Sequence, residues 1–126
     1  MKRLFIVRHG KAMPQENGSD FERVLSERGT ADARALGQWT SNVRLHGHPI
    51  LVSPAKRTHS TAQHLCQVWG ESEEQIQIEE QAYLASDRAW LEWINNWPDQ
   101  YESGWIVGHN PGSVSYTHLT LPTTTI

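Results

Sequence analysis

Three short apolar runs in this chain each stop on polar or ionisable residues, and that pattern limits the possible folds. Leu4 to Val7 runs into Arg8-His9-Gly10. Ile50 to Val52 runs into Ser53-Pro54-Ala55-Lys56-Arg57, and Trp105 to Val107 into Gly108-His109-Asn110. Such runs read as buried strands, and strands alternating with helical patterns are the signature of βαβ units and a largely parallel sheet. Ser26 is suited to cap a helix running to about Trp39, with Leu36 and Trp39 on its inner face. A second helix is expected to start near Ala55, where Ala62, Leu65, Cys66 and Trp69 keep helical spacing. Trp90, Trp93, Ile94 and Trp97 form a further helical stripe, ended by Pro98. Ile76 and Ile78 alternate with Gln75, Gln77 and Glu79, which predicts a half-exposed strand, while residues 14–20 have loop chemistry. The expected architecture is an α/β three-layer sandwich with a mostly parallel central sheet.

Burying an unpaired charge is costly, so a strand that delivers Arg8 and His9 to its end calls for a reason. All strand carboxyl ends of a parallel sheet lie along one edge, where ligands bind. Arg8, His9, Arg57 and His109 therefore converge on one site by topology alone. Two arginines and two histidines make a cationic cup, and Arg57 sits in the first turn of a helix, whose unpaired N–H groups favour an anion. A phosphoryl group is the natural ligand, because its oxygens match guanidinium geometry.

Composition narrows the setting. With 126 residues there is material for one domain and a single core, for which six tryptophans would supply much of the bulk. The net charge of -3, from 11 basic and 14 acidic residues, gives no general attraction to nucleic acid or to an anionic membrane. Cys66 is the single cysteine, so no intramolecular disulfide and no cysteine-cluster metal site can form. The opening MKRLFIV has too few apolar residues for a signal-peptide core, and no run reaches membrane-spanning length, so a cytoplasmic protein is expected.

The motifs RHGKA, SPAKRTHSTA and VGHNPG, in this order and spacing, resemble the histidine phosphatase superfamily, which includes the phosphoglycerate mutases and acid phosphatases. The small size, the Lys-Ala after RHG and the His-Asn-Pro after the last strand resemble the SixA-type phosphohistidine phosphatases. So does DFERVLSERG, with Asp20, Arg23, Leu25, Ser26 and Gly29 in matching places. The resemblance covers residues 3–113 and implies a phosphoglycerate mutase-like fold. It also implies a role for each site residue. His9 would be the nucleophile that carries a phosphohistidine intermediate. Arg8, Arg57 and His109 would bind the non-bridging oxygens. EEQAYL resembles the segment of the family that supplies a proton-donating carboxylate, which aligns Glu80 with that role, although Gln81 stands where the family has arginine. No metal or other cofactor is implied, since the arginines supply the positive charge. The implied substrate is a phosphohistidine on a protein such as a histidine-containing phosphotransfer domain. The inserted cap segments with which larger relatives enclose sugar phosphates are missing. A small phosphate ester is the alternative, in a phosphomonoesterase or mutase.

Taken singly, these residues also have structural readings. Arg8, His9 or His109 at a strand end can be a satisfied polar group, and Glu79 and Glu80 a solvated strand end. Lys11 and Lys56 read as rim charges, Asn110 as a turn residue, and His46, His48, His59 and His64 as surface or structural. Two rival functions remain: a metal hydrolase using His46, His48 and His109, and a phosphate-binding module without catalysis. One segment departs from the rest. From Val114 the chain reads VSYTHLTLPTTTI, low in charge and rich in threonine, where a βα unit calls for a helix. VSYTHLTLPT resembles the in-frame translation of a sequencing adapter. The expectation is a domain over residues 1–113, cut short at its C-terminal end, with a non-native tail at 114–126.

Overall fold

The computed structural model describes residues 3–14, 19–45, 49–80, 96, 103–109 and 123–125. Five strands form one sheet: β1 (Arg3–Arg8), β2 (Ile50–Val52), β3 (Ile76–Ile78), β4 (Ser103–Gly108) and β5 (Thr123–Thr125). Their order across the sheet is β3-β2-β4-β1-β5, and every pairing is parallel. The late strand β4 is thus inserted between β1 and β2. β5 lies in the threonine-rich segment and pairs Thr123–Thr125 with Leu4–Ile6 at the sheet edge. Edge pairing uses backbone groups, and threonine is a good strand former, so three threonines suffice for it.

Two helices accompany the sheet, α1 (Glu27–Asn42) and α2 (Lys56–Trp69). Ser26 caps α1, its hydroxyl accepting from the Gly29 N–H at 3.0 Å. α2 begins at Lys56 and ends on Gly70, whose φ of 75° is the left-handed conformation that closes many helices. Phe5, Val7, Ile50, Val52, Trp105 and Val107 form one face of the sheet, and Ala62, Leu65, Cys66 and Trp69 of α2 pack in the same cluster. Phe5 and Trp105 stack at 4.7 Å between ring centroids, and Trp69 tilts against Trp105 at 4.9 Å. The alternate residues Leu4, Ile6, Leu51 and Ile106 are buried as well, so both faces of the sheet are covered, as a parallel sheet requires. Each fully buried aliphatic side chain contributes about 1.5–3 kcal/mol relative to an exposed one. Burial also pushes the Cys66 thiol up to about 11, with Glu73 and Glu71 adding to the shift.

One expectation for the core fails. Leu36 packs against the cluster, but Trp39 is 54% exposed. The buried residues of α1 are Gly29, Ala33, Gly37 and Thr40. Gly37 lies against Val68 of α2 and Gly29 against the Lys11 backbone, and a tryptophan would not fit at either contact. Buried Thr40 accepts a hydrogen bond from the Trp69 indole N–H at 2.8 Å and so ties the two helices together. The helix expected over Trp90 to Trp97 lies outside the described residues. Of the six tryptophans, Trp69 and Trp105 belong to the core cluster among the described residues.

Candidate active site

Strand register assembles the site. Arg8 pairs with Gly108 and Val52 with Val107, so β1, β4 and β2 end nearly level. The ladder continues one step further on each side of β4. The His9 N–H donates to the Gly108 carbonyl at 3.2 Å, and the Ser53 N–H donates to the Val107 carbonyl at 3.1 Å. His9, His109 and Ser53 therefore come directly after three adjacent strands at the carboxyl edge. The His9 and His109 rings meet edge-on with centroids 5.3 Å apart.

Arg57 enters from the first turn of α2 and is buried. Its guanidinium donates to three residues. Nε–H donates to His9 Nε2 at 3.3 Å, and one terminal nitrogen donates to the Asp20 carbonyl at 2.7 Å. The other donates to Asp20 Oδ2 at 2.9 Å and to His109 Nδ1 at 3.2 Å. A guanidinium can only donate, so the facing nitrogens, His9 Nε2 and His109 Nδ1, carry lone pairs. Each ring then has its proton on the opposite nitrogen. His9 Nδ1–H donates to the Gly10 carbonyl at 2.7 Å, and His109 Nε2–H donates to Ser53 Oγ at 2.9 Å. Both tautomers are thereby set by the contacts.

Burial holds His9 below its ordinary 6.5, and Arg57, Arg8 and Arg23 push the same way against the Gly10 hydrogen bond. His109 is pulled down to about 4, first by burial and then by Arg57 and His9, with Asp20 opposing. Both imidazoles are neutral at neutral pH.

The loop after β1 is held tightly. The Gly10 N–H donates to Thr61 Oγ1 at 3.1 Å, and that hydroxyl donates to the Arg57 carbonyl at 2.8 Å. On the other side Lys11 lies against the start of α1, its carbonyl accepting from the Ser26 N–H at 2.8 Å and from the Ser26 hydroxyl at 2.9 Å. Only glycine fits at the contact: a Cβ on Gly10 would stand 2.6 Å from the Gly29 carbonyl oxygen.

Arg8, His9, Gly10, Lys11, Ala12, Arg23, Arg57 and His109 line a cavity of about 600 Å³. Four of these side chains are cationic, in a chain whose net charge is -3. The structure thus brings Arg8, His9, Arg57 and His109 together. Glu80 does not line the cavity; it is exposed, two residues beyond the end of edge strand β3. Lys56 is exposed as well, and His46, His48 and Asn110 lie outside the described residues. Among the described residues, no cluster of three or more His, Cys, Asp or Glu side chains has the geometry of a metal site. Sequence reasoning gave no role to Asp20, Ser53 or Thr61. Thr61 had a signal, since it lies one helical turn after Arg57 on the same face; Ser53 had only its position at a strand end.

The profile of the histidine phosphatase superfamily (branch 1) matches residues 4–119. The chain belongs to that superfamily. Three solved structures share the fold of this histidine phosphatase. A protein assigned as phosphohistidine phosphatase SixA from Agrobacterium tumefaciens is similar at 27% identity and a TM-score of 0.79, over 90% of this chain and 73% of that one. A second protein so assigned, from Nakamurella multipartitia, is 27% identical with a TM-score of 0.68, over 84% of this chain and 58% of that one. The protein histidine phosphatase SixA complexed with tungstate shares the fold at 22% identity and a TM-score of 0.75, over 90% of this chain and 74% of that one. No curated protein sequence matches the chain. Among the described residues of this histidine phosphatase, no helix is long and apolar enough to cross a membrane.

Proposed function

We propose that this histidine phosphatase removes the phosphoryl group from phosphohistidine on a phosphotransfer protein, through a phosphohistidine of its own at His9. The observation that carries the reading is the state of His9. Its Nδ1–H is committed to the Gly10 carbonyl, which leaves the Nε2 lone pair at the cavity wall, where it accepts a 3.3 Å hydrogen bond from Arg57 Nε–H that a phosphoryl oxygen can take over. An imidazole kept neutral by burial is ready to act as a nucleophile.

In the first step His9 Nε2 attacks phosphorus. A P–N bond forms as the P–N bond of the substrate breaks, and the electron pair stays on the departing imidazole. Arg8 and Arg57 hold the non-bridging oxygens and balance the charge spread over them, and His109 joins them by turning its Nε2–H from Ser53 to one of these oxygens. In the second step water attacks phosphorus, His9 Nε2 leaves with its electron pair, and inorganic phosphate departs with the protons of the water. A substrate imidazole protonated on its other nitrogen leaves as a neutral ring, so the first step needs no proton donor. The names of the two SixA structures that are 27% identical support this substrate class.

The test offers a labelled phosphohistidine phosphotransfer protein and a panel of sugar phosphates to the purified chain. Rapid release of inorganic phosphate from the protein substrate, with transient label on His9, is the expected result. Wild-type turnover by His9→Ala would end the assignment, and faster turnover of the sugar phosphates would turn it towards small esters.

A further inference from the structure

The guanidinium of Arg57 has two working edges, and one of them faces a carboxylate. Nε–H is aimed at His9 Nε2, the nitrogen that takes the phosphoryl group in the proposed reaction. The opposite side is gripped by Asp20, whose backbone carbonyl and Oδ2 accept from the two terminal nitrogens at 2.7 and 2.9 Å. The other oxygen of that carboxylate, Oδ1, accepts from Arg23 at 3.0 Å, and Arg23 lines the cavity. The Arg23 N–H also donates to the Asp20 carbonyl at 3.1 Å, and Arg23 Nε–H donates to the Met13 carbonyl at 2.8 Å. One residue therefore holds two cavity arginines in fixed relation, one through each carboxylate oxygen.

We propose that Asp20 is a positioning residue for phosphoryl transfer: it fixes the orientation of Arg57, and with it the place of the Nε–H that sits beside the reacting nitrogen and passes to a phosphoryl oxygen when the substrate is bound. The proposal rests on the reading of His9 as nucleophile. Asp20 is not among the residues that line the cavity, so it acts through the two arginines. The Arg57 side chain is 6% exposed while that of Asp20 is 38% exposed, so the clamp reaches a buried cation from the rim. Charge-assisted, planar pairing of this kind sets angle as well as distance. Without it the Arg57 side chain still carries its charge, but several rotamers around the same position become open to it. The electrostatic pull on an anion then survives, while the alignment needed in the transition state does not.

That division gives the test its sign. Asp20→Asn keeps the shape but sets an amide against one of the two arginines. Its kcat on the phosphohistidine protein is expected to fall about 10- to 100-fold, the scale for a misplaced catalytic group. Its affinity for inorganic phosphate should stay the same or rise, because a negative charge has been removed. Asp20→Glu keeps the carboxylate and should recover most of the lost kcat, a rescue that a merely structural aspartate would not distinguish from Asn. A second readout is independent of turnover: the Arg57 Nε–H signal in nuclear magnetic resonance, expected to exchange slowly in the wild type and to broaden in Asp20→Asn. It tests the clamp even if the wild type proves inactive, which would count against the function and not against the clamp. A kcat within twofold of wild type in Asp20→Asn, with the Arg57 signal unchanged, would overturn the proposal.

Discussion

Gly29→Ala tests whether the start of α1 shapes the loop that carries His9. A Cβ at this position would stand 2.1 Å from the Lys11 carbonyl oxygen and 2.8 Å from the Lys11 nitrogen. Ordinary contact is well beyond 3 Å, so the Lys11 backbone must retreat by about 1 Å. That movement breaks or stretches the two hydrogen bonds from Ser26 to the Lys11 carbonyl, each contributing about 1 kcal/mol. Overpacking adds about 1–3 kcal/mol. Alanine is the better helix former by about 1 kcal/mol, which offsets part of this. The net destabilisation is about 3 kcal/mol, a large share of the 5–15 kcal/mol that holds a domain together. For a chain of this size that lowers the melting temperature by about 10 °C. Gly70→Ala is the control. Nothing lies within 4 Å of its Cβ position, and its positive φ alone is penalised, at about 1 kcal/mol. Thermal unfolding followed by circular dichroism compares the two. Phosphatase activity should fall in Gly29→Ala, because moving Lys11 moves the Gly10 carbonyl that orients His9, and should be unchanged in Gly70→Ala. A Gly29→Ala protein that melts within about 3 °C of wild type, or above it, would refute the argument.

Arg57→Ala should lower kcat by about 10²- to 10³-fold, the scale for one donor to a developing charge, and Arg57→Lys should not restore it, since a single ammonium cannot replace the fork; a kcat within tenfold of wild type in either variant would count against the role. The half-buried histidines of the site give stability a pH dependence. The folded-state value of His109 is depressed to about 4, so between pH 6.5 and 4 the unfolded chain binds a proton that the folded chain does not. Stability is then lost as pH falls through that window and is constant above it as far as this group is concerned. Melting temperatures at pH 7, 5.5 and 4.5 should drop steadily, and His109→Gln should flatten the drop; equal slopes in the two proteins would sink this reading. Glu80 is exposed and does not line the cavity, so Glu80→Gln should leave turnover of both a phosphohistidine protein and an alkyl phosphate unchanged. A loss of about 10²- to 10⁴-fold on the alkyl phosphate alone, whose alkoxide needs a donated proton, would instead mark Glu80 as the proton donor.

Much of the site is legible along the chain because its residues sit where the hydropathy changes. A buried strand is recognisable from four apolar residues. In a parallel sheet the next residues along the chain must reach the carboxyl edge, so Arg8, His9 and His109 are placed by pattern alone. Arg57 is placed by the helix that succeeds Ser53-Pro54. The inner face of α1 is not legible in the same way. Hydrophobicity favours Leu36 and Trp39; Leu36 does pack against the core cluster, but Trp39 is exposed and the buried positions of α1 are Gly29, Ala33, Gly37 and Thr40, whose merit is small volume and not apolar surface. Asp20 stands out along the chain only through its motif, and its pairing with Arg57 is not legible for another reason. A carboxylate in a polar loop looks solvated, and only the tertiary approach of that loop to α2 turns it into the partner of a buried arginine.

The ladder that continues past β1, β4 and β2 has a consequence for which changes of chain length the protein can absorb. His9, Ser53 and His109 owe their spacing to hydrogen-bond register and not to the connections between strands. Residues added or removed between β3 and β4 are expected to leave those three positions where they are. A single residue inserted within β4 does not, because successive side chains point to opposite faces of a strand. It would turn His109 away from Arg57 while every residue of the site remained present, and the protein would keep its composition and lose its chemistry.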